Sequence, residues 1–227
     1  MKEQTAEGGA PARVYLQPIA APSILGLYAF AGSTLIVAAE LAGWYGSPQT
    51  PQYLFPFAAA FGGVAQFAAG MWAYKARDAI ATAMHGMWGS FWIGFGILQL
   101  MFATGTVAEP QGPFPALGFW FIALAWITIM GAIAATAENK ALTAVLGTLS
   151  LGAIFAAIAE LLGSEAWTVI AGYTFIVSAI CAWYTASALM FEGVAGRPVL
   201  PVGMTKKAKE APEVNRGAGE PGVKQGQ

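Results

Sequence analysis

Six apolar runs, each long enough to cross a bilayer as one helix, dominate the sequence and limit what it can fold into. They cover Pro22 to Trp44, Tyr53 to Tyr74, Ala79 to Ala103, Pro115 to Thr136, Ala141 to Leu162 and Ala166 to Phe191. A hydrocarbon layer about 30 Å thick needs roughly 20 such residues per helix. Hydrophobic residues make up 57% of the 227 and charged ones only 10%, against about 25% charged in an ordinary soluble domain. The runs lack the strict alternation of barrel strands, so helices are the solution that satisfies every backbone group in lipid. The expected fold is an all-α integral membrane protein with six transmembrane helices forming one domain over 22–203.

The basic residues sort by side. Lys2 and Arg13 precede the first run, Lys75 and Arg77 fall between the second and third, and Lys140 lies between the fourth and fifth. Arg197, Lys206, Lys207, Lys209, Arg216 and Lys224 follow the sixth. The connections around Ser47, Gln111 and Ser164 contain no Lys or Arg, so the positive-inside rule places them outside and both termini in the cytoplasm. Trp44, Tyr53, Trp120 and Trp167 mark outer ends of spans, and Trp72 and Tyr74 an inner end, as interfacial belts do. Short connections make successive helices antiparallel neighbours. Residues 1–21 read as a cytoplasmic segment without a cleavable signal, leaving the first helix to act as the insertion signal. Residues 204–227, rich in Lys, Glu, Gly and Pro, read as a disordered cytoplasmic tail.

Composition also narrows function. A net charge of −1 and the absence of a Gly-rich loop followed by Lys give no basis for nucleic-acid or nucleotide binding. One histidine, His85, and one cysteine, Cys181, cannot build a zinc site or an internal disulfide. No catalytic set, metal or cofactor is implied. Transport is therefore favoured over catalysis.

Within the membrane, Gly62, Gln66 and Gly70 recur every fourth residue, and Gly86, Ser90 and Gly94 repeat the spacing in the next helix. Small residues so placed let helices approach closely, while an amide such as Gln66 needs a partner helix or a polar pathway. No Lys or Arg lies well inside a span, so a permeating anion would depend on neutral donors. Ser33, Thr34, Gln66, Ser90 and Thr148 are the candidates, with bonding to their own helix as the simpler role for the hydroxyls. Cys181 and Thr174 suggest packing only, and His85 is either a pH-sensitive group or structural.

The three outward-running helices share a pattern. Phe30, Trp88 and Leu149 each come eight or nine residues into their runs, a common depth of about 12 to 14 Å at 1.5 Å per residue. Glu40, Gln99 and Glu160 lie about 15 to 17 Å further out. At 100° per residue the eleven-residue offsets from Trp88 to Gln99 and from Leu149 to Glu160 return almost to one face, whereas Phe30 and Glu40 are about 80° apart. The pattern suggests an apolar constriction below an outer polar ring, two devices that channels use for gating and selection. If Glu40 and Glu160 share a pathway, ionised carboxylates would repel an incoming anion and protonated ones would donate hydrogen bonds to it.

These residues sit within a wider likeness. The run Gly62, Gly63, Val64, Ala65, Gln66, Phe67, Ala68, Ala69, Gly70, then Tyr74 and Lys75, then Gly89, Ser90, Phe91 and Trp92, resembles the acetate uptake transporter family of bacterial acetate/succinate permeases and their yeast relatives. Gly196, Arg197, Pro198, Val199, Leu200, Pro201, Val202 and Gly203 resemble that family's closing segment. The family's Asn-Pro-Ala-Pro-Leu-Gly-Leu signature is matched in part by Ala21, Pro22, Ser23, Ile24, Leu25, Gly26 and Leu27. Ala73 stands where a glutamate is common. These departures bear on substrate rather than on family.

The resemblance implies a small-carboxylate carrier or channel in the plasma (inner) membrane, assembled as a hexamer with a pathway through each protomer. It also implies a narrow point at Phe30, Trp88 and Leu149, the residues selected by depth. Trp88 replaces the family tyrosine, setting an indole N–H, which donates but does not accept, in place of a phenol. The favoured expectation is transport of acetate or a similar monocarboxylate, with a proton as candidate co-substrate. The alternatives are a channel for a neutral or cationic solute such as ammonia or urea, and a non-transporting membrane scaffold or sensor.

Overall fold

The computed structural model describes residues 19–206. Six helices are long and apolar enough to span a membrane: α1 (Pro22–Leu41), α2 (Thr50–Ala76), α3 (Ala79–Ala103), α4 (Pro115–Ala135), α5 (Lys140–Leu162) and α6 (Glu165–Ala195). Six crossings bring Ile19 and Lys206 to the same side.

Local chemistry sets the ends. Prolines in the first turns of α1, α2 and α4 occupy positions whose N–H has no intrahelical partner. At the cytoplasmic starts of α3 and α5, the Asp78 and Asn139 side chains accept hydrogen bonds from the Ala81 and Leu142 N–H groups, each at 2.8 Å. Glycine in the left-handed region ends α5 at Gly163 (φ 61°) and α6 at Gly196 (φ 66°). The first span is shorter than its apolar run: the helix stops at Leu41, and Gly43 (φ 74°) turns Trp44 into the outer loop. Conversely, α6 runs past Phe191 to Ala195.

The helices close into a ring. Each packs on its sequence neighbours and α1 closes on α6, while α3 and α4, joined by the long outer loop, touch least among sequence neighbours. Small residues permit the tight seams. A Cβ on Gly70 would lie 2.7 Å from the Gly86 nitrogen, and one on Gly172 would lie 2.6 Å from the Ala42 nitrogen, so α2 meets α3 and α6 meets α1 at backbone contact. Gly86 and Gly94, by contrast, face open space. After Pro56, which has no N–H to give, α2 widens into a π-helical stretch over Ala59–Ala65.

Beyond α6 the chain turns back across the inner ends of α4 and α5. Lys140 and Ala141 donate their N–H groups to the Gly203 and Val202 carbonyls at 3.1 and 3.0 Å, supplying the acceptors that the first turn of α5 lacks. The Tyr184 hydroxyl donates to the Pro201 carbonyl at 2.8 Å. Met204 bridges to Asn139, and Thr205 donates its N–H to the Glu138 carbonyl at 3.0 Å. The head of the expected tail is thus docked by main-chain bonds that hydropathy does not register. Residues 207–227, and 1–18 of the N-terminal segment, lie outside the described residues.

Candidate functional site: a vestibule closed by an aromatic contact

Phe30, Trp88 and Leu149 are each only 2% exposed and belong to one apolar cluster. The Phe30 and Trp88 rings meet edge to face, with centroids 6.4 Å apart and planes at 66°. Trp88 makes a second edge contact with Phe91 at 5.5 Å. Outward of this contact lies a cavity of about 80 Å³ walled by every helix except α2. Trp88 and Leu149 line it at its deep end, and Leu41, Leu117, Glu160 and Thr168 line it toward the outer ends of their helices. Leu149 and Glu160 are eleven residues apart on α5, so the cavity extends over about 16 Å. Its walls are mostly apolar, with Phe91, Trp92, Phe95, Phe121 and Phe175 forming one side.

Several expected site residues take other positions. Glu160 lines the cavity, but Glu40 does not. The Glu40 side chain folds beneath the outer loop, where a Cβ on Gly46 would lie 3.2 Å from its Cγ. Burial and the Glu40 charge together push the Tyr45 phenol above its ordinary range. Gln99 is buried away from the cavity lining. The three residues therefore do not form one ring. Ser90 faces the opposite side of α3, bonding to the Gly86 carbonyl at 2.8 Å and lining a groove between α2 and α3 on the outside of the bundle. At 100° per residue, two steps from Trp88 reach the far face. Thr148 bonds to the Ala144 carbonyl of its own helix.

Several buried polar groups lack protein partners. Ser33 Oγ, Thr34 Oγ1, Gln66 Oε1, Trp92 Nε1 and Gln99 Oε1 are all buried without one, an arrangement that native interiors reserve for water, ligand or function. Thr34 and Trp92 border the cavity. Ser33 and Trp92 converge on Gly62, where a Cβ would lie 2.8 Å from Ser33 Oγ and 2.5 Å from Trp92 Cδ1. Gly62 thus leaves room for the nitrogen-bearing edge of Trp92 to meet α1 and α2.

Two functional features were missed by sequence spacing. The Trp88 N–H does not point to the pathway: it donates to Thr128 Oγ1 at 2.9 Å, and that hydroxyl donates to the Leu124 carbonyl at 2.7 Å. Thr128 is fully buried and is the one hydroxyl residue in α4, a signal that could have singled it out. The aromatic wall was also missed, although Phe91 and Phe95 follow Trp88 at helical spacing.

A six-helix ring around an internal cavity defines a multi-pass membrane protein. A profile of the GPR1/FUN34/yaaH family matches residues 4–201, and the chain belongs to that family. It is 26% identical over 190 residues to the succinate-acetate/proton symporter SatP of Escherichia coli K12, covering 82% of this chain and 96% of SatP. It is 25% identical over 188 residues to an uncharacterized protein of Methanothermobacter thermautotrophicus, covering 79% of this chain and 89% of the relative. The solved structure of the bacterial acetate channel SatP superposes with a TM-score of 0.75 at 24% identity, covering 82% of this chain and all of that one. The fold is therefore shared, and the chain is a multi-pass protein of the inner membrane.

Proposed function

We propose that this chain moves acetate, or a monocarboxylate of similar size, across the membrane through its own six-helix bundle. The observation that carries the proposal is the cavity whose deep end is lined by Trp88 and Leu149, with Phe30 outside the lining and packed edge to face on Trp88. At about 80 Å³, against the ~10 to 15 Å³ that a cavity needs to hold one water on the same measure, the cavity suits a solute of a few heavy atoms. Its aromatic walls suit a methyl group, and Thr34 supplies a neutral hydroxyl for a carboxyl group. The constriction excludes hydrated ions by dewetting. The names borne by SatP, acetate channel and succinate-acetate/proton symporter, agree with this reading.

Three finer parts belong to the same proposal. The chain acts as a transporter and not as an enzyme. Glu160, the one carboxylate on the cavity wall, is the candidate group for exchanging a proton with the passing acid. The working form is a homo-oligomer, a hexamer by family resemblance. The groove of about 630 Å³ between α2 and α3, lined by Phe67, Met71, Gly86, Met87 and Ser90, offers small and apolar residues to a second copy.

One observation favours a second reading. An ionised Glu160 would suit a neutral or cationic solute such as urea or ammonium better than an anion. Uptake of labelled acetate by the purified, reconstituted protein, with propionate, succinate, urea and ammonium as competitors, decides between them. Saturable acetate uptake blocked by propionate supports the proposal. Acetate-free transport of urea or ammonium overturns it.

A further inference from the structure

His85 is the only histidine in the chain, and the structure gives it an unusual position. It is 4% exposed, and its Nδ1 is buried with no partner in the protein. Its Nε2 lies 3.4 Å from Ser23 Oγ, a long contact. The ring edge presses on Gly26: a Cβ there would lie 2.5 Å from Cε1 and Nε2 and 2.6 Å from Cδ2. Only glycine leaves space for the imidazole between α1 and α3. On α2, the Gly70 Cβ position lies 3.1 Å from the His85 carbonyl carbon, so α2 packs on the backbone of α3 at this residue. None of these neighbours is charged.

The register of the two helices gives this pair its meaning. Gly26 precedes Phe30 by four residues and His85 precedes Trp88 by three, about 4.5 to 6 Å inward along the same two helices. The Gly26–His85 contact therefore repeats the Phe30–Trp88 contact one turn nearer the cytoplasm. The two rings differ in one respect. The Trp88 N–H is consumed by Thr128, whereas His85 Nδ1 has nothing to bond. A solute passing the aromatic contact inward meets His85 as the first side chain on this seam with an unspent polar atom.

We propose that His85 is the inner binding station of the pathway, its Nδ1 taking the carboxyl group of a monocarboxylate just after the constriction. In the tautomer with the proton on Nδ1, that nitrogen donates to a carboxylate; in the other, it accepts from an undissociated acid. Both match one functional group, and only the carboxyl group is matched by both. A station on each side of a narrow apolar contact, Thr34 outside and His85 inside, lets the solute trade one hydrogen bond for another instead of crossing unbonded. Ser23, whose hydroxyl faces Nε2, is the positioning residue that selects the tautomer. The inference rests on the carboxylate-transport reading for its ligand.

A lone histidine makes the test direct. Protein labelled with ¹⁵N-histidine, purified through a histidine-free tag and reconstituted in liposomes, shows one imidazole. Sodium acetate is titrated from sub-millimolar to hundreds of millimolar at fixed pH, with chloride balancing ionic strength. The expected result is a saturable shift of the Nδ1 resonance that chloride alone does not produce, and that propionate reproduces. In uptake by the same vesicles, His85→Phe should raise the half-saturating acetate concentration about tenfold, the effect of losing one hydrogen bond to a charged group, and His85→Gln should recover most of the loss. An Nδ1 resonance unmoved across the titration means that the imidazole meets only interior water or packing, and overturns the proposal even if His85→Phe is misfolded. Vesicles that show the shift but no acetate uptake would retain the station and refute the transport reading instead.

Discussion

Replacing Thr128 by valine keeps shape and volume close while deleting the hydroxyl that holds Trp88. The indole N–H would then be buried at a site where Trp88 is 2% exposed and Thr128 fully enclosed. Stranding a buried donor costs about 1 to 3 kcal/mol. Two other restraints, beyond general packing, are its edge contacts with Phe30 and Phe91 at 6.4 and 5.5 Å, each worth about 0.5 to 1.5 kcal/mol. The lost bond is thus comparable to these two contacts together. At 1.4 kcal/mol per factor of ten, any swung-aside position of Trp88 should rise about tenfold in population. Flux of acetate and of longer monocarboxylates into proteoliposomes, with thermal unfolding in detergent, measures both consequences. Thr128→Val should lower the unfolding temperature and raise the relative flux of butyrate, and Thr128→Ser, which keeps the hydroxyl, should do neither. Parental stability and size selection in the valine variant would show that the 2.9 Å bond does not organise the constriction.

Phe30→Ala and Leu149→Ala should also weaken discrimination against longer acids, read by competition with labelled acetate, and Trp88→Tyr should preserve it; unchanged competition in both alanine variants would sink the shared constriction. Glu160→Gln should raise acetate uptake at neutral external pH by removing a negative charge from the cavity wall, with the gain fading in acid where the parental carboxyl is protonated; Glu40→Gln, away from the cavity, should leave the profile alone. At the inner surface, burial and the nearby Asp78 carboxylate hold the Glu138 carboxyl above its ordinary value of 4.5. A carboxyl so shifted binds its proton more tightly folded than unfolded, so its ionisation costs stability as pH rises through the raised value. Glu138→Gln should therefore unfold at a higher temperature than the parent near pH 8 and at the same temperature near pH 4; an equal gain at both would exclude ionisation as the cause.

The spans were legible because one physical demand, the length of apolar helix that lipid requires, writes itself in consecutive residues. Errors gathered at ends, where backbone geometry takes over from hydropathy. Trp44 and Ala42 are apolar enough to extend the first run, but Gly43 at φ 74° leaves the helix. Ring closure between α1 and α6 was not legible, because nothing in the spacing of either helix names the other. Met204 and Thr205, at the end of the docked segment, were read as the start of a tail for a similar reason. The segment's order comes from main-chain bonds to Lys140, Ala141 and Glu138, and these carry no side-chain signature.

The site was legible along each helix and less so between helices. Angular arithmetic around one axis separates Glu40 from the face of Phe30 by about 80°, and neither residue lines the cavity. The same arithmetic put Gln99 on the face of Trp88, yet Gln99 is buried off the cavity, since spacing fixes an angle about an axis and not the course of that axis past its neighbours. Ser90 was chosen for its hydroxyl, but its bond to Gly86 satisfies it on the outer face. Polarity alone therefore does not mark a pathway residue. A better candidate is a buried polar atom without a protein partner: Ser33, Thr34, Gln66, Trp92, His85 and Gln99 each carry one, all on α1, α2 or α3, and of these Thr34 and Trp92 line the cavity. Helices α4, α5 and α6 contribute walls, the Thr128 anchor and Glu160. The unpartnered polar atoms thus lie on one half of the ring and the cavity's carboxylate on the other, while both halves supply apolar wall. A carboxylate travelling with its oxygens toward the first half and its methyl toward the second would meet neutral donors along α1 and α3 and keep its charge turned away from Glu160.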